Sequence, residues 1–480
     1  MTFERTLRDT VAGSGVSFGT SGARGLASAM DDATCGAYVA AFLSVARRNH
    51  DFGRVALGMD LRPSSPRIAA SCAGAIRAAG FEVEFCGVLP TPALALHAMA
   101  HAIPAVMVTG SHIPFDRNGL KFYRPDGEIS KDDEAAMLAA AVPPATTAVP
   151  LPAPAAAAIE AYARRYLDFF GPGLLDDLRI GLYEHSSASR DVFAAILRGL
   201  GATVVSLGRT DQFVPIDTEA VSGEDMARGR AWAAEHGLDA LISTDGDGDR
   251  PLLSDEHGDW LRGDLVGLAC ARSLGIDALA IPVSCNSAVE ASGAFAEVSR
   301  TRIGSPHVIA GMEGLAQRHA RVAGFEANGG FLLGCPLDND RATLAALPTR
   351  DAVLPALAVL AAARASGAPV SALMAALPSR HTASDRLQSF PGEESRLLLE
   401  RWTRHPAELL AAVDLPSTGP RVDTTDGLRI TLANDEVVHL RPSGNAPELR
   451  CYAEAASAAR AAELVRQALG FIAGRRRLPA

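Results

Sequence analysis

Val106-Met-Val-Thr-Gly-Ser-His-Ile-Pro114 is the stretch whose reading decides the fold. After Pro104 a short apolar run predicts a strand, Ala105–Thr109, and Gly110 and Pro114 break it into a tight polar loop. Ser111 stands at the strand's exit with His112 beside it. Upstream, strand and helix alternate. Arg54–Met59 reads as a strand and Pro63–Ala79 as a helix, with Pro63 in its first turn and Gly80 as its stop. Glu82–Cys86 reads as a second strand and Pro92–Ala100 as a second helix. That order predicts an α/β unit whose strands pair in parallel. Ligands in such sheets gather outside the carboxyl ends of the strands, which puts the Ser111 hydroxyl where it can react. Downstream, Asn118-Gly-Leu-Lys121 would let Lys121 fold back over the serine. Taken alone, a Ser-His pair in a loop is equally an ordinary turn.

The chain has 480 residues, too many for one hydrophobic core, so three or four domains are expected. Hydrophobic residues make up 48% and charged residues 21%, the mix of a soluble globular protein. A net charge of −10 does not draw nucleic acid, so an anionic substrate needs a local cluster of Arg and Lys. The charged start, Met1 to Asp9, lacks the apolar stretch of a signal peptide. Ala135–Ile159 carries no charge, but its prolines at 143, 144, 150, 152 and 154 make it a poor membrane helix. Its Ala/Pro-rich part, 141–155, reads as a linker. Ala352–Ala363 is too short to span and reads as a buried helix. Seven scattered cysteines without a C-x-x-C suggest small buried hydrophobes in a reducing, cytoplasmic setting.

Earlier in the chain, Ser17-Phe-Gly-Thr-Ser-Gly-Ala-Arg-Gly25 offers glycines for close approach to an anion and Arg24 for charge. A second α/β unit follows the linker: helix Ile159–Phe170, strand Leu178–Tyr183, helix Arg190–Leu200 and strand Thr203–Leu207. It leads through an apolar strand, Asp239–Thr244, into Asp245-Gly-Asp-Gly-Asp-Arg250. Carboxylates at alternate positions, separated by glycines, can converge on one hard cation. Glu256 stands where a calcium EF-hand has its last ligand, but Arg250 replaces that loop's glycine and the flanks read as strands. Arg250 beside the acidic loop suggests that an anion also comes close.

A third unit begins near Asp264, with strands Ala278–Val283, Val298–Ile303 and Val322–Phe325. The last of these opens into Glu326-Ala-Asn-Gly-Gly330, where Glu326 and Asn328 suit hydroxyl groups, although a plain turn reads the same way. The final unit, from about residue 380, has helices Glu394–Trp402 and Ala407–Val413, a strand pair Leu428–Leu432 and Val437–Leu440, and helix Ala456–Ala473. Within it lies Arg441-Pro-Ser-Gly-Asn-Ala-Pro-Glu-Leu-Arg450. Arg441, Arg450, the Ser443 hydroxyl and the N–H groups around Gly444 suit a phosphate, as a surface turn flanked by arginines also would.

Taken together and in order, these loops resemble the α-D-phosphohexomutase superfamily, and within it the bacterial phosphomannomutase group, over roughly residues 17 to 455. The resemblance implies an α/β protein of four domains around a central cleft. Three are α/β mixed-sheet domains, at 1–150, 151–258 and 259–375, and the fourth is a smaller α+β domain at 376–480. It implies a reversible mannose phosphate isomerisation through a hexose 1,6-bisphosphate, which also serves as activator. The alternatives are a glucose or dual-specificity mutase, a glucosamine mutase, a bisphosphate synthase or phosphatase, or a binding protein without turnover. Ser111 would be the phosphoserine, with His112 beside it. Asp245, Asp247 and Asp249 would hold Mg²⁺ with a phosphoserine oxygen, and Arg24 and Arg250 would stabilise the transferring charge. Glu326 and Asn328 would grip sugar hydroxyls, and Arg441, Ser443, Gly444, Asn445 and Arg450 the second phosphate. Hexose phosphates are the implied partners, with no nucleic acid or membrane, for a monomer or homodimer.

This chain departs from the family pattern in three loops. Gly110 and Ile113 replace Ala and Asn in the serine loop, Asn445-Ala446 replaces Thr-Glu, and Asn328-Gly329-Gly330 replaces Ser-Gly-His. The missing histidine leaves proton transfer to be assigned to Lys121, with Arg24 and Arg250 expected to crowd it. A clamp on phosphate is the alternative role for that lysine.

Overall fold

The structure, a computed structural model, describes residues 5–19, 21–443 and 448–475. The strand before Ser111 spans Ala105–Val108 and runs parallel to Arg54–Met59, itself parallel to Glu82–Val88. Its side chains alternate between two cores. Ala105 and Met107 enter the larger one, Val106 and Val108 the other. On its far edge lies Arg117–Arg124, antiparallel, with Met107 opposite Lys121. The Asn118–Lys121 segment is therefore a strand, not a loop folded over the serine. Its polar residues hid this: Asn118 is buried against the Ser64 and Ser65 hydroxyls, and Lys121 against carboxylates. The parallel strands thus sit in a mixed sheet.

The helix expected from Pro63 runs Ser65–Ala78, and the proline of its first turn is Pro66. Before it the chain makes a separate turn, closed by the Ser65 N–H on the Arg62 carbonyl at 3.0 Å. The 141–155 stretch is not a loose tether. It lies along the first domain, with N–H groups of Val142, Val149 and Ala155 bonded to the carbonyls of Arg5, Ala70 and Phe85 at 3.0, 3.1 and 2.8 Å. Helix Asp32–Ala46 has no counterpart in the sequence reading; it is buried on nearly every side and so shows no polar stripe.

Four domains make up the architecture. In the second, strands run in the order Pro251–Leu253, Ala240–Thr244, Arg179–Tyr183 and Thr203–Leu207, the last three parallel. The third orders Glu297–Thr301, Ala278–Pro282, Val322–Phe325, Phe331–Leu333 and Leu347–Asp351, parallel for the first three and antiparallel after. One continuous core runs from the first domain's inner face through the second and third. The fourth packs helices Gly392–Arg404, Pro406–Ala412 and Ala458–Arg475 on an antiparallel sheet with its own core. All seven cysteines are buried thiols. Among the described residues no helix is long and apolar enough to cross a membrane.

Candidate active site

Ser111 is fully buried and its backbone is left-handed, φ +53°, a conformation that costs a non-glycine residue about 1–3 kcal/mol and persists only when its surroundings enforce it. Here they do. The Thr109 hydroxyl accepts the Ser111 N–H at 2.8 Å and donates to Asp60 Oδ2 at 2.8 Å. Arg62, 1% exposed, donates from Nη1 to the Pro114 and Arg117 carbonyls at 2.7 and 2.9 Å. From Nη2 it donates to those of Ser111 and Ile113 at 2.7 and 2.6 Å. Asp60 pairs with it at 3.2 Å, and the Phe213 ring of the second domain stacks 4.1 Å away. A Cβ on residue 110 would lie 2.5 to 2.9 Å from the guanidinium, which explains glycine where the family has alanine. Sequence reasoning passed over Arg62. Its one signal was Asp60-Leu-Arg62, an ion pair at the carboxyl end of an apolar strand.

The acidic loop joins antiparallel strands Ala240–Thr244 and Pro251–Leu253, the strand flanks that disfavour an EF-hand. Glu256 turns away to bond Ser371. Asp245, Asp247 and Asp249 are fully buried and place ligand oxygens within 4.8 Å of one another. The Ser111 hydroxyl donates to Asp245 Oδ2 at 2.5 Å. The Thr91 hydroxyl donates to Asp247 Oδ2, also at 2.5 Å, from the first turn of the helix Thr91–Ala100. Burial, with Asp247 and Asp249 nearby, pushes Asp245 well above the usual carboxylate range. Burial and Asp249 act on Asp247 in the same sense, but Lys121, with the Thr91 hydroxyl, outweighs them and holds it below. Asp249 is also held low: against burial, Arg350, Lys121 and Arg250 prevail. Asp247 Oδ1 and Asp249 Oδ1 are buried without a hydrogen-bond partner. Orphaned carboxylate oxygens on an all-oxygen donor set fit a hard divalent cation such as Mg²⁺.

Cations ring this cluster. Lys121 Nζ donates to Asp247 Oδ2 and to Asp249 Oδ2, both at 2.6 Å. Its contacts are thus two carboxylates rather than the expected arginines. Arg250 Nη1 donates to His112 Nδ1 at 2.8 Å, and the Ser111 hydroxyl lies 3.3 Å from the same nitrogen. Burial, then Arg250 and Arg24, push His112 well below its ordinary value. The ring is neutral, and Nδ1 is its acceptor. Arg24 has no carboxylate partner among the described residues; burial, then Arg250 and Arg350, push its guanidinium down to about 10. Cations crowded this way call for an anion between them.

Glu326 and Asn328 are buried in a turn closed by the Gly329 N–H on the Glu326 carbonyl at 2.9 Å. Asn328 Oδ1 accepts the Gly330 N–H at 3.0 Å, so its amide nitrogen is the group it can offer a ligand. Arg350, absent from the sequence reading, joins this turn to the acidic loop through Glu326 and Asp249.

Arg441 and Arg450 sit opposite each other on adjacent strands, Val437–Pro442 and Leu449–Ala455. Like charges in register repel unless something lies between them, and an anion there would relieve it. Asp426 takes the Arg441 Nε hydrogen at 2.8 Å, and Glu448 lies 3.5 Å from Arg450. The Ser443 N–H donates to the Glu448 carbonyl at 2.8 Å. Gly444 and Asn445 lie outside the described residues. No described hydrogen bond or ion pair ties this hairpin to the serine cluster. Burial and Asp217 raise the Glu219 carboxyl, against Arg250, Arg262 and Arg450.

Sequence models of the phosphoglucomutase/phosphomannomutase family match the chain as alpha/beta/alpha domain I over residues 15–145 and domain III over 262–381. The family's C-terminal domain matches over 394–470. A phosphomannomutase from Salmonella muenchen is 48% identical over 468 residues, 97% of each chain. Another, from Sinorhizobium fredii, is 44% identical over 95% of this chain and 99% of its own. The crystal structure of a phosphoglucomutase/phosphomannomutase family protein from Burkholderia thailandensis shares the fold. Its TM-score is 0.70 over 96% of this chain and 98% of that one, at 19% identity.

Proposed function

The chain belongs to the phosphoglucomutase/phosphomannomutase family, so it is an isomerase with phosphomannomutase activity, and we propose that it works through a phosphoserine at Ser111. The observation that carries this reading is the Ser111 hydroxyl held 2.5 Å from Asp245 in a buried acidic cluster ringed by Lys121, Arg24 and Arg250. Phosphoryl transfer needs alignment and neutralised charge more than covalent help. Phosphoserine at 111 gives its phosphoryl group to a sugar hydroxyl: the bond from phosphorus to Ser111 Oγ breaks, one to the sugar oxygen forms, and the proton lost by the sugar hydroxyl balances the one that Ser111 Oγ takes up as it becomes a hydroxyl. The resulting hexose 1,6-bisphosphate turns over within the cleft and returns its other phosphate to Ser111. Free hexose 1,6-bisphosphate reprimes any enzyme that has lost its phosphate.

Asp245, Asp247 and Asp249 would hold Mg²⁺ with a phosphoserine oxygen, and the ion supplies charge neutralisation at the phosphoryl group. Arg24 and Arg250 hold the equatorial oxygens, and Arg250 also fixes the neutral His112 beside the serine. Glu326 and Asn328 bind sugar hydroxyls. Arg441, Ser443, Gly444, Asn445 and Arg450 hold the phosphate that is not reacting. The reading places domain boundaries near 150, 258 and 375. It also includes a cytoplasmic monomer or homodimer without nucleic-acid or membrane partners. A synthase, a phosphatase or a binding protein without turnover gains no support from any residue described.

Lys121 keeps Asp247 and Asp249 together against their mutual repulsion, a charge role distinct from both proton transfer and a clamp on phosphate. Lys121→Arg keeps the charge but cannot give up its proton. It should keep at least about a tenth of kcat, while Lys121→Met falls by roughly 10²-fold, as loss of one preorganised charge does. Equal collapse of both variants in steady-state assays would restore the proton-transfer role.

Mannose and glucose differ at the 2-hydroxyl, while the 3- and 4-hydroxyls proposed for Glu326 and Asn328 are common to both. Strong rejection requires a polar group left unpaired by the wrong sugar. Mannose 1-phosphate and glucose 1-phosphate should therefore differ in kcat/KM by no more than roughly 10²-fold. N-acetylglucosamine phosphate should be poorer than either, because its acetamido group needs room and partners. The three kcat/KM values test the substrate assignment, and a best rate on the N-acetylated sugar would overturn it.

A further inference from the structure

We propose that Arg350 is a positioning residue for the sugar, tying the turn that grips its hydroxyls to the carboxylates beneath the phosphoserine. We further propose that residue 330 is glycine to let the arginine through. The inference rests on the phosphoserine reading above. Arg350 occupies the penultimate position of the strand Leu347–Asp351, and that strand's end is pinned. Asp351 accepts the Tyr162 hydroxyl at 2.6 Å, the Tyr166 hydroxyl, and the Val353 N–H at 3.0 Å. The Thr349 hydroxyl meets Tyr123 at 3.3 Å. With both neighbours anchored on one face, Arg350 is delivered to the other.

Its side chain is 4% exposed, and each of its guanidinium nitrogens donates. Nε and Nη2 donate to Asp249 Oδ2 at 3.1 and 2.8 Å, and Nη1 donates to Glu326 Oε2 at 3.0 Å. One planar group thereby sets two carboxylates. On Glu326 it takes Oε2 and leaves Oε1 for a sugar hydroxyl. On Asp249 it shares Oδ2 with Lys121, and Oδ1 is the oxygen without a hydrogen-bond partner, with Arg250 Nε 3.8 Å away. The stem passes directly over Gly330. A Cβ at residue 330 would lie 2.6, 2.8 and 2.9 Å from Arg350 Cδ, Cγ and Cβ. A stem fixed at both ends cannot yield to it. Guanidinium does not give up its proton in the working range, so Arg350 acts by position and charge. Glu326 therefore meets the sugar in a register set by the metal loop.

The test compares wild type, Arg350→Ala, Arg350→Gln, Gly330→Ala and the Arg350→Ala/Gly330→Ala double variant. Substrates are mannose 1-phosphate and its 3-deoxy and 4-deoxy analogues. Thermal unfolding and phosphorylation of Ser111 by hexose 1,6-bisphosphate are measured in parallel. Arg350→Ala should raise KM about tenfold and lower kcat/KM about 10²-fold, as a misplaced ligand does. It should also lose most of the wild-type preference for the intact sugar over the deoxy analogues, while Ser111 still takes phosphate. Gly330→Ala should reproduce this, and the double variant should be no worse than the worse single, because both changes remove one contact set. Arg350→Gln keeps the stem without the fork and carries the same expectation if the alanine variant does not fold. Arg350 variants within about threefold of wild type, intact discrimination against the deoxy sugars, or losses that multiply would each overturn the assignment. A wild type that never takes phosphate would overturn the phosphoserine reading itself. Variants that take phosphate and still discriminate overturn only the role of Arg350.

Discussion

Ser111→Ala should lose mutase turnover by roughly 10⁴-fold or more, since removing the atom that carries the covalent intermediate leaves only binding and charge stabilisation. Loss of activity alone would not separate chemistry from folding. The backbone does. Ser111 sits at φ +53°, where any residue with a Cβ is strained by about 1–2 kcal/mol. Alanine keeps that strain and glycine relieves it. Ser111→Gly should therefore unfold at a higher temperature than Ser111→Ala, yet be just as inactive. Both should still bind mannose phosphate in calorimetry, because Glu326, Asn328 and the Arg441–Arg450 hairpin are untouched. Turnover in either variant above about a hundredth of wild type would place the phosphoryl acceptor elsewhere.

Asp247→Asn should cost about 10³-fold in kcat, the scale of removing one preorganised electrostatic partner from a buried site. Three buried carboxylates repel, but Lys121 outweighs that repulsion at Asp247 and the fold favours its charged form. Neutralising it breaks that pair, so the metal-free variant should be less stable than the metal-free wild type. Mg²⁺ binding only to the folded state stabilises it by about 2.7 kcal/mol at a hundred times Kd. That rise in Tm should appear in wild type and be nearly absent in Asp247→Asn. A chelator should silence wild type and Mg²⁺ restore it. An equal Mg²⁺-dependent rise in both proteins would remove Asp247 from the metal site.

Much of this was legible before the structure, for identifiable reasons. Ala105–Val108 and Ala240–Thr244 are apolar runs ended by glycine-rich polar loops, so sequence alone marks both strand and reactive loop. Asp245, Asp247 and Asp249 are near neighbours in the chain, and their convergence needs only one hairpin. The residues that escaped notice act across long separations. Arg350 meets Asp249 across 101 residues, and Arg62 meets the serine loop across about fifty. Each is a single arginine in an unremarkable stretch until the fold aims it. Lys121 was noticed but misplaced, because a buried strand holding Asn118 and Lys121 looks like a loop when its partners are unknown. The helix Asp32–Ala46 failed for the opposite reason: buried nearly all round, it has no amphipathic period to read. Gly110 and Gly330 looked like departures from a pattern; a Cβ at either would fall within 3 Å of an arginine, Arg62 or Arg350.

The central claim is that Ser111 carries the phosphoryl group. Intact-mass spectrometry of the wild-type protein after incubation with hexose 1,6-bisphosphate, followed by peptide mapping, tests it most directly. The account predicts a species heavier by one phosphoryl group. The modification should map to the peptide containing Thr109-Gly-Ser-His112, be absent from Ser111→Ala, and be discharged by added mannose 6-phosphate. An unmodified Ser111 in fully active enzyme, or the phosphate on another residue, would contradict it.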